Sequence, residues 1–427
     1  MPTPTKRLAS IDALRGFTMF WLVIFGPFFL VLRTQSPLTD FFSSNEIGFM
    51  ISGWFEHVPW EGFVLWDLLM PLFVFCAGLS IPFQFAKYRT QDGSPNYLKI
   101  YLRILRRVVV LWIFGMIMQG NFLDFHWSHG LRLFSNTLQT IAVGYLFASI
   151  FYLHFRVRFQ VGICVVLMLA YWALMAFVSV TGADGIVYGA GSYAPESNLC
   201  EWVDRVVLGP WRDCVSFGED GTWAFSESYR YTWILSSLTF ICTALTGVFS
   251  GELIRRNPLS RPETQAENAS EVLPPAEVQS PSKMLSGTQI FVRLLIIGFA
   301  MLLVGWGWSK VPEGTCFYCP LVKHIWTPTM VLWASGWSVL LLAVFYEIID
   351  VLNFRAWSIV LTVPGMNSIT AYMMPKFVGF AAISQAFLYG AEPFFGPWYP
   401  TVKALGAALL FWFFLWHLYR TKTFLRV

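Results

Sequence analysis

The sequence predicts an all-α, polytopic membrane protein with about ten transmembrane helices and both termini in the cytoplasm. Three observations predict it. Of the 427 residues, 56% are hydrophobic and only 13% charged, against about 25% charged in a soluble globular domain. A water-facing surface with so few charges could not carry 20 Trp and 41 Phe without aggregating. The apolar residues gather into stretches of about 20, the length that crosses a hydrocarbon core about 30 Å thick. The scarce Lys and Arg residues fall mostly on one side of those stretches, as cytoplasmic loops require. The same figures exclude a disordered chain, a collagen-like repeat and a disulfide framework, since only seven cysteines are spread along the chain. A net charge of +4 is too mild to imply a nucleic-acid partner.

The first span, 13–32, follows the basic Lys6 and Arg7. It is long, and no small-residue cleavage site follows, so it reads as an uncleaved helix rather than a signal peptide. Further spans are expected at 62–86, 108–120, 136–153, 159–180, 231–254, 288–309, 328–350, 357–374 and 403–420. The third is short, and the ninth is interrupted by Pro364 and Gly365. With the N-terminus inside, the inner loops and helix mouths hold 20 of the 29 basic residues and leave nine outside, which satisfies the positive-inside rule. The chain 1–427 therefore reads as one transmembrane domain with two inserts. One is a large outer loop at 181–230. The other is a cytoplasmic linker at 257–287, whose Pro, Glu, Ser and Gln cannot bury enough apolar surface to order themselves. The sequon Asn268-Ala269-Ser270 lies in that linker, away from the glycosylating side, and is read as chance.

Ionisable residues inside spans mark sites, because burying them in hydrocarbon is costly. His57-Val58-Pro59-Trp60-Glu61-Gly62 leads into the second span, and Asp67 lies within it. Pro59 suits a first helical turn. His57 would then sit just ahead of the helix N-terminus at the outer face, where the dipole favours the neutral imidazole of a general base or acyl acceptor. At 1.5 Å per residue, Asp67 would lie about 10 Å deeper than Trp60. Spacing alone also allows an interfacial histidine and an acid that merely ties helices together.

On the inner side, Asp12 and Arg15 open the first span. Arg103, Arg106 and Arg107, at i, i+3 and i+4, are expected to share one helix face. Guanidinium forks suit the phosphates of a nucleotide-bearing donor such as coenzyme A, although the positive-inside rule alone also puts arginines there. Asn367 and Ser368 follow the Pro364-Gly365 break, about 15 Å from the start of the segment and so near the midplane. Polar backbone at that depth survives only when it lines a cavity or packs inside protein. His126 and His129 would make half a metal site, but no carboxylate or cysteine cluster completes it, so no metal is expected. Cys316 with Cys319, and Cys200 with Cys214, are candidate disulfide staples of outer loops. His154, His324 and His417 read as ordinary interfacial histidines.

Taken in order, these elements resemble the family of heparan-alpha-glucosaminide N-acetyltransferase and its bacterial membrane relatives. The resemblance runs nearly end to end. It begins at Arg7-Leu8-Ala9-Ser10-Ile11-Asp12-Ala13-Leu14-Arg15-Gly16 and continues through His57-x-x-Trp60-x-Gly62, Asp67-Leu68, Pro71 and Gly78-x-Ser80. It extends to Asp204-Arg205 with Leu208, Lys323-x-x-Trp326-Thr327, Gly365-Met366-Asn367-Ser368-Ile369 and the tail Tyr419-Arg420-x-Lys422-x-Phe424. The chain departs from the pattern at Ile24-Phe25-Gly26-Pro27 and at Thr140, which follows Leu138-Gln139.

The resemblance implies a transmembrane acyltransferase of the cell (inner) membrane. It would carry an acetyl group from cytoplasmic acetyl-CoA, a co-substrate, to an amino sugar or sugar hydroxyl of a glucosamine-type glycan outside. His57 would be catalytic as base or acetyl acceptor, oriented by Asp67. Arg15, Arg103, Arg106, Arg107, Asn367 and Ser368 would bind the donor, Asn367 by polarising the thioester carbonyl. Trp60, Glu61, Asp204, Lys323 and Trp326 would lie on the acceptor side. Membrane lipid is the remaining partner, and a homodimer is left open. The rival class is a sugar or oligosaccharide transporter, which also has many spans with polar breaks at mid-membrane.

Overall fold

Long apolar runs fold as helices here because a backbone without water must satisfy its own hydrogen bonds. The computed structural model describes residues 8–88, 94–120, 131–218, 222–225, 231–259 and 285–425. Among them, eight helices are long and apolar enough to cross a membrane: Ala9–Thr34, Leu65–Phe85, Thr137–His154, Val157–Phe177, Ser237–Arg256, Gly287–Ser309, Pro328–Val351 and Glu392–Arg420. This is the architecture of a multi-pass membrane protein. The expected short third span is the apolar half of a longer helix, Tyr97–Met118, whose first half carries Lys99, Arg103, Arg106 and Arg107. The expected ninth span is two pieces, Ile359–Met366 and Ser368–Phe377, joined at Asn367. Most of the linker and the pair His126 and His129 lie outside the described residues.

The outer loop departs from an all-helical reading. It holds two small antiparallel hairpins, Ser179–Thr181 with Val187–Gly189 and Val215–Phe217 with Trp223–Phe225, around a helix at Leu199–Val207. The cysteine staples expected in the outer loops are not formed. Cys316 is exposed and Cys319 buried, while the Cys200 thiol lies against Tyr171 Oη (3.1 Å) and Met175 Sδ (3.6 Å).

Helix Leu65–Leu79 sits at the centre. One side of it packs with Ile104, Leu111, Tyr145, Phe240 and Ala244, and the other with Leu14, Leu294, Met330 and Ala343. Small residues let backbones meet, as is usual between membrane helices. A Cβ added at Gly78 would lie 1.9 Å from Ala244 O, and one at Gly247 would lie 2.1 Å from Phe75 O. Gly16 and Gly365 interlock in the same way, with added Cβ atoms 1.6 Å from Leu361 O and 1.9 Å from Asp12 O. Gly287–Ser309 and Val157–Phe177 form the rim and leave Leu303, Ile296 and Val166 exposed, as lipid-facing helices do.

Candidate functional site

The site begins where two loops pair. Helix formation does not start at Pro59: residues 57–64 form a loop, bent at Pro59, Trp60 and Gly62, and the helix opens at Leu65. Glu61 makes an antiparallel bridge with Val322, and Gly62 N donates to Leu321 O at 2.9 Å. Gly62 adopts φ +121°, a conformation that side-chain-bearing residues rarely take. The pairing holds this loop against the facing one and delays the helix to Leu65. Asp67 consequently falls in the first turn of the helix, where Val64 N donates to its Oδ2 at 3.3 Å, and the positive helix end suits a carboxylate. The sequence assigned that position to His57.

The facing loop is fixed just as firmly. Thr327 caps helix Pro328–Phe345, with Met330 N donating to its Oγ1 at 3.4 Å and Pro328 in the first turn. Val322 N also donates to Thr327 Oγ1, at 3.1 Å. Trp326 takes a positive φ of 51° and is buried, its Nε1 donating to Thr243 Oγ1 at 3.1 Å and its ring meeting Phe240 edge-on. These restraints aim Lys323 back at the second span.

The result is a triangle. His57 Nδ1 lies 2.7 Å from Asp67 Oδ1, Lys323 Nζ donates to the same oxygen at 3.0 Å, and Nζ lies 3.1 Å from Nδ1. The Asp67 side chain is 0% exposed and that of Lys323 2%, whereas the His57 side chain is 39% exposed. A carboxylate oxygen and a bare ring nitrogen repel at 2.7 Å, so a proton stands between them. A neutral ring with that proton on Nδ1 would present Nε2 as its basic nitrogen. Burial pushes the Lys323 amine down from its usual value, and the Asp67 charge opposes that shift. The ring of His57 is thus held in one orientation by the buried pair.

Around the triangle, Trp60 stacks on His324 (4.8 Å between centroids, 18°), Tyr231 covers its other side (5.2 Å, 29°), and the Trp60 Nε1 donates to Tyr193 O at 2.9 Å. Burial, then the neighbouring Lys323, push His324 down to about 3, so it is a neutral shelf rather than a proton carrier. Sequence reading passed it over; its place beside Lys323 in the paired loop was the available signal. Glu61 is exposed at the rim. Asp204 is not brought to the triangle. It is buried, and both its oxygens accept backbone N–H groups, from Trp233 (2.8 Å) and Ile234 (2.9 Å), which anchors the chain entering helix Ser237–Arg256. Asp204 and Trp326 are therefore supports.

At the other end of Leu65–Phe85 stands the arginine cluster. Gln84 Oε1 accepts from Arg103 Nε (3.5 Å), Arg107 Nη1 (3.3 Å) and Tyr145 Oη (3.4 Å). Arg103 Nη1 also donates to Tyr88 Oη at 2.9 Å, and Arg107 lies 4.2 Å above the Tyr145 ring. Arg15 is close enough to repel Arg107, and its own ion pair is a long one, 3.9 Å to Asp12 Oδ1. Arg15 Nε and Arg107 Nε are buried without a hydrogen-bond partner among the described residues. Among the described residues, three guanidinium groups with one distant carboxylate leave donors and positive charge unspent, the pattern that accepts phosphate.

Two donor-side expectations need correction. Arg106 is exposed while Arg103 and Arg107 are half-buried. At about 100° per residue, i+4 returns to the same face and i+3 lands on its flank. Asn367, expected near mid-membrane to line a cavity or pack inside protein, packs against the tail. Its Nδ2 donates to Thr423 O at 3.1 Å and its Oδ1 accepts from Leu425 N at 3.3 Å, and both residues lie beyond the last helix, which ends at Arg420. Asn367 thus fastens the tail, with Ser368 beside it half-buried at the start of the following helix. No protein-family model and no curated protein matches the chain.

Proposed function

We propose that the chain is a transmembrane acyltransferase. It would take an acetyl group from acetyl-CoA on the cytoplasmic side and deliver it to the amine or hydroxyl of a glucosamine-type sugar on the outer side. Ten membrane crossings with both termini cytoplasmic are part of this reading. The observation that carries it is the triangle of His57, Asp67 and Lys323, a histidine ring held at the mouth of a buried ion pair. The arginine cluster supports it from the opposite end: Asp67 and Gln84 are separated by about 25 Å along a helix rising 1.5 Å per residue. A donor whose phosphates rest on Arg15, Arg103 and Arg107 and whose thioester reaches His57 needs that separation.

In this reading, His57 Nε2 takes the proton of the acceptor amine or hydroxyl while that atom attacks the thioester carbonyl. The new C–N or C–O bond forms, the C–S bond breaks, and the thiolate leaves. Asp67 balances the imidazolium as it forms, and Lys323 keeps Asp67 ionised. The same geometry serves an acetyl-imidazole route, in which Nε2 itself attacks and a burst of CoA release precedes acceptor turnover. Trp60 and Glu61, at the rim, are suited to packing on and hydrogen-bonding a sugar. The test is acetyl transfer by purified protein in vesicles: His57→Ala should abolish it, and a transporter would instead accumulate sugar without any acyl donor.

A further inference from the structure

A cleft of about 200 Å³ opens where helices Thr137–His154, Val157–Phe177 and Ser237–Arg256 end on one side of the protein. The proposed acyl transfer uses none of its residues. Arg156, Arg255 and Arg256 line it. The only carboxylate among its lining residues, Glu252, accepts from Tyr152 Oη (2.9 Å), from Arg255 Nε and Nη2 (both 2.8 Å), and from Arg256 Nε (2.6 Å). Among the described residues, three guanidinium groups thus face one carboxylate, and Arg156 and Arg256 carry charge beyond it. Arg256, with a side chain 54% exposed, gives Glu252 one of its five N–H donors. Arg156 is exposed and makes no ion pair among the described residues.

Gln160 is the second, independent observation. It lines the same cleft and is 1% exposed. Its Nε2 donates to Phe155 O at 2.7 Å, but its Oε1 is buried with no partner among the described residues. A buried acceptor without a partner is costly until something donates to it, so an occupant with a hydroxyl or N–H fits it. The N-terminus of the 21-residue helix Val157–Phe177 lies here too, and its N-cap Arg156 makes no side-chain cap, so the positive helix end is open to an anion. Phe85, Leu153 and Val157 complete an apolar wall.

We propose that this cleft binds the headgroup of an anionic phospholipid with a free hydroxyl, the phosphodiester on Arg156 and Arg256 and the hydroxyl on Gln160 Oε1. Net positive charge favours such a headgroup over a zwitterionic one, whose ammonium three arginines would repel. The shared chemistry with free phosphate is the anion alone; the hydroxyl and the apolar wall belong to the lipid.

The experiment is thermal unfolding of the purified full chain in detergent, titrated separately with phosphatidylglycerol, phosphatidylmethanol (the same phosphodiester without a hydroxyl), phosphatidylcholine and inorganic phosphate. Phosphatidylglycerol should stabilise saturably, phosphatidylmethanol should need about three- to tenfold more, the loss of one hydrogen bond, and the other two should do nothing at equal concentration. Arg156→Ala with Arg256→Ala should weaken the phosphatidylglycerol response at least about tenfold, whereas Arg158→Ala, an exposed arginine beside the cleft, should not. Gln160→Met should erase the preference for phosphatidylglycerol over phosphatidylmethanol while keeping both responses. Equal stabilisation by phosphatidylcholine, an undiminished response of the double variant, no preference between the two anionic lipids, or a full response to inorganic phosphate would each overturn the proposal.

Discussion

Lys323 and Asp67 form a buried ion pair at 3.0 Å with side chains 2% and 0% exposed, and the site depends on it. Coulomb's law at an effective dielectric constant of about 20 gives this contact about 5 kcal/mol. Removing one member of a buried pair leaves the other charged without its counter-ion in a place that cannot solvate it, Asp67 keeping only His57 and Val64 N, at a cost of about 3–5 kcal/mol. Lys323→Met and Asp67→Asn should therefore each destabilise the protein by about that amount. The double variant leaves no orphaned charge, and its cost should fall at least about 2 kcal/mol short of the summed single costs. The assay is reversible unfolding in detergent of the wild type, both single variants and the double, read as a double-mutant cycle. Costs that add to within about 0.5 kcal/mol would mean that the two side chains do not interact, and the reasoning about the triangle would fail with them.

Further outcomes follow from the same contacts. Gly365→Ala would put a Cβ 1.9 Å from Asp12 O and 2.7 Å from Gly16 N; a shift of rigid backbone is required, and thermal unfolding should show a loss of about 3 kcal/mol or more. Asp204→Ala leaves two backbone N–H groups, of Trp233 and Ile234, without their acceptor and should cost about 2–6 kcal/mol, read as lost stability of the outer loop. Burial pushes the Asp204 carboxyl up to about 7 and Asp213 up to about 6, against the pull of Arg212. An acid whose value rises on folding favours the folded state fully below about pH 4, and that contribution is lost as pH climbs to about 7. Hydrogen exchange corrected for intrinsic rate should accordingly find Leu199–Phe217 more protected at pH 5 than at pH 8. Arg103→Ala with Arg107→Ala should weaken CoA binding, and the wild-type affinity should fall with salt; salt-independent binding equal in both proteins would remove the cluster from the donor site.

The helices were legible in the sequence because bilayer thickness sets their length, and eight of the expected stretches appear as helices of that length. Tyr97–Met118 was only half visible: its cationic first half broke the hydropathy while leaving helix propensity intact. His57 and Asp67 stood out because charges are rare in such a chain, but their arrangement was misread, since Pro59 looks like a helix start while the chain there stays a loop that pairs at Glu61 with Val322. That bridge joins loops far apart in sequence. It makes Lys323, 266 residues from His57, part of the triangle, and no local pattern reports such a contact. Asn367 was legible as an interruption of a helix, yet its partners belong to the tail. Arg106 could have been separated from Arg103 and Arg107 by helical angle alone.

The central claim is that an acyl group crosses the membrane between the arginine cluster and His57. The most direct measurement uses proteoliposomes of uniform orientation with acetyl-CoA on the arginine side and glucosamine on the other, and product read by mass. Acetylated sugar should form opposite the donor, should not form when the donor is moved to the His57 side, and should be absent with His57→Ala. Undiminished product from His57→Ala, or sugar uptake without acetylation, would contradict it.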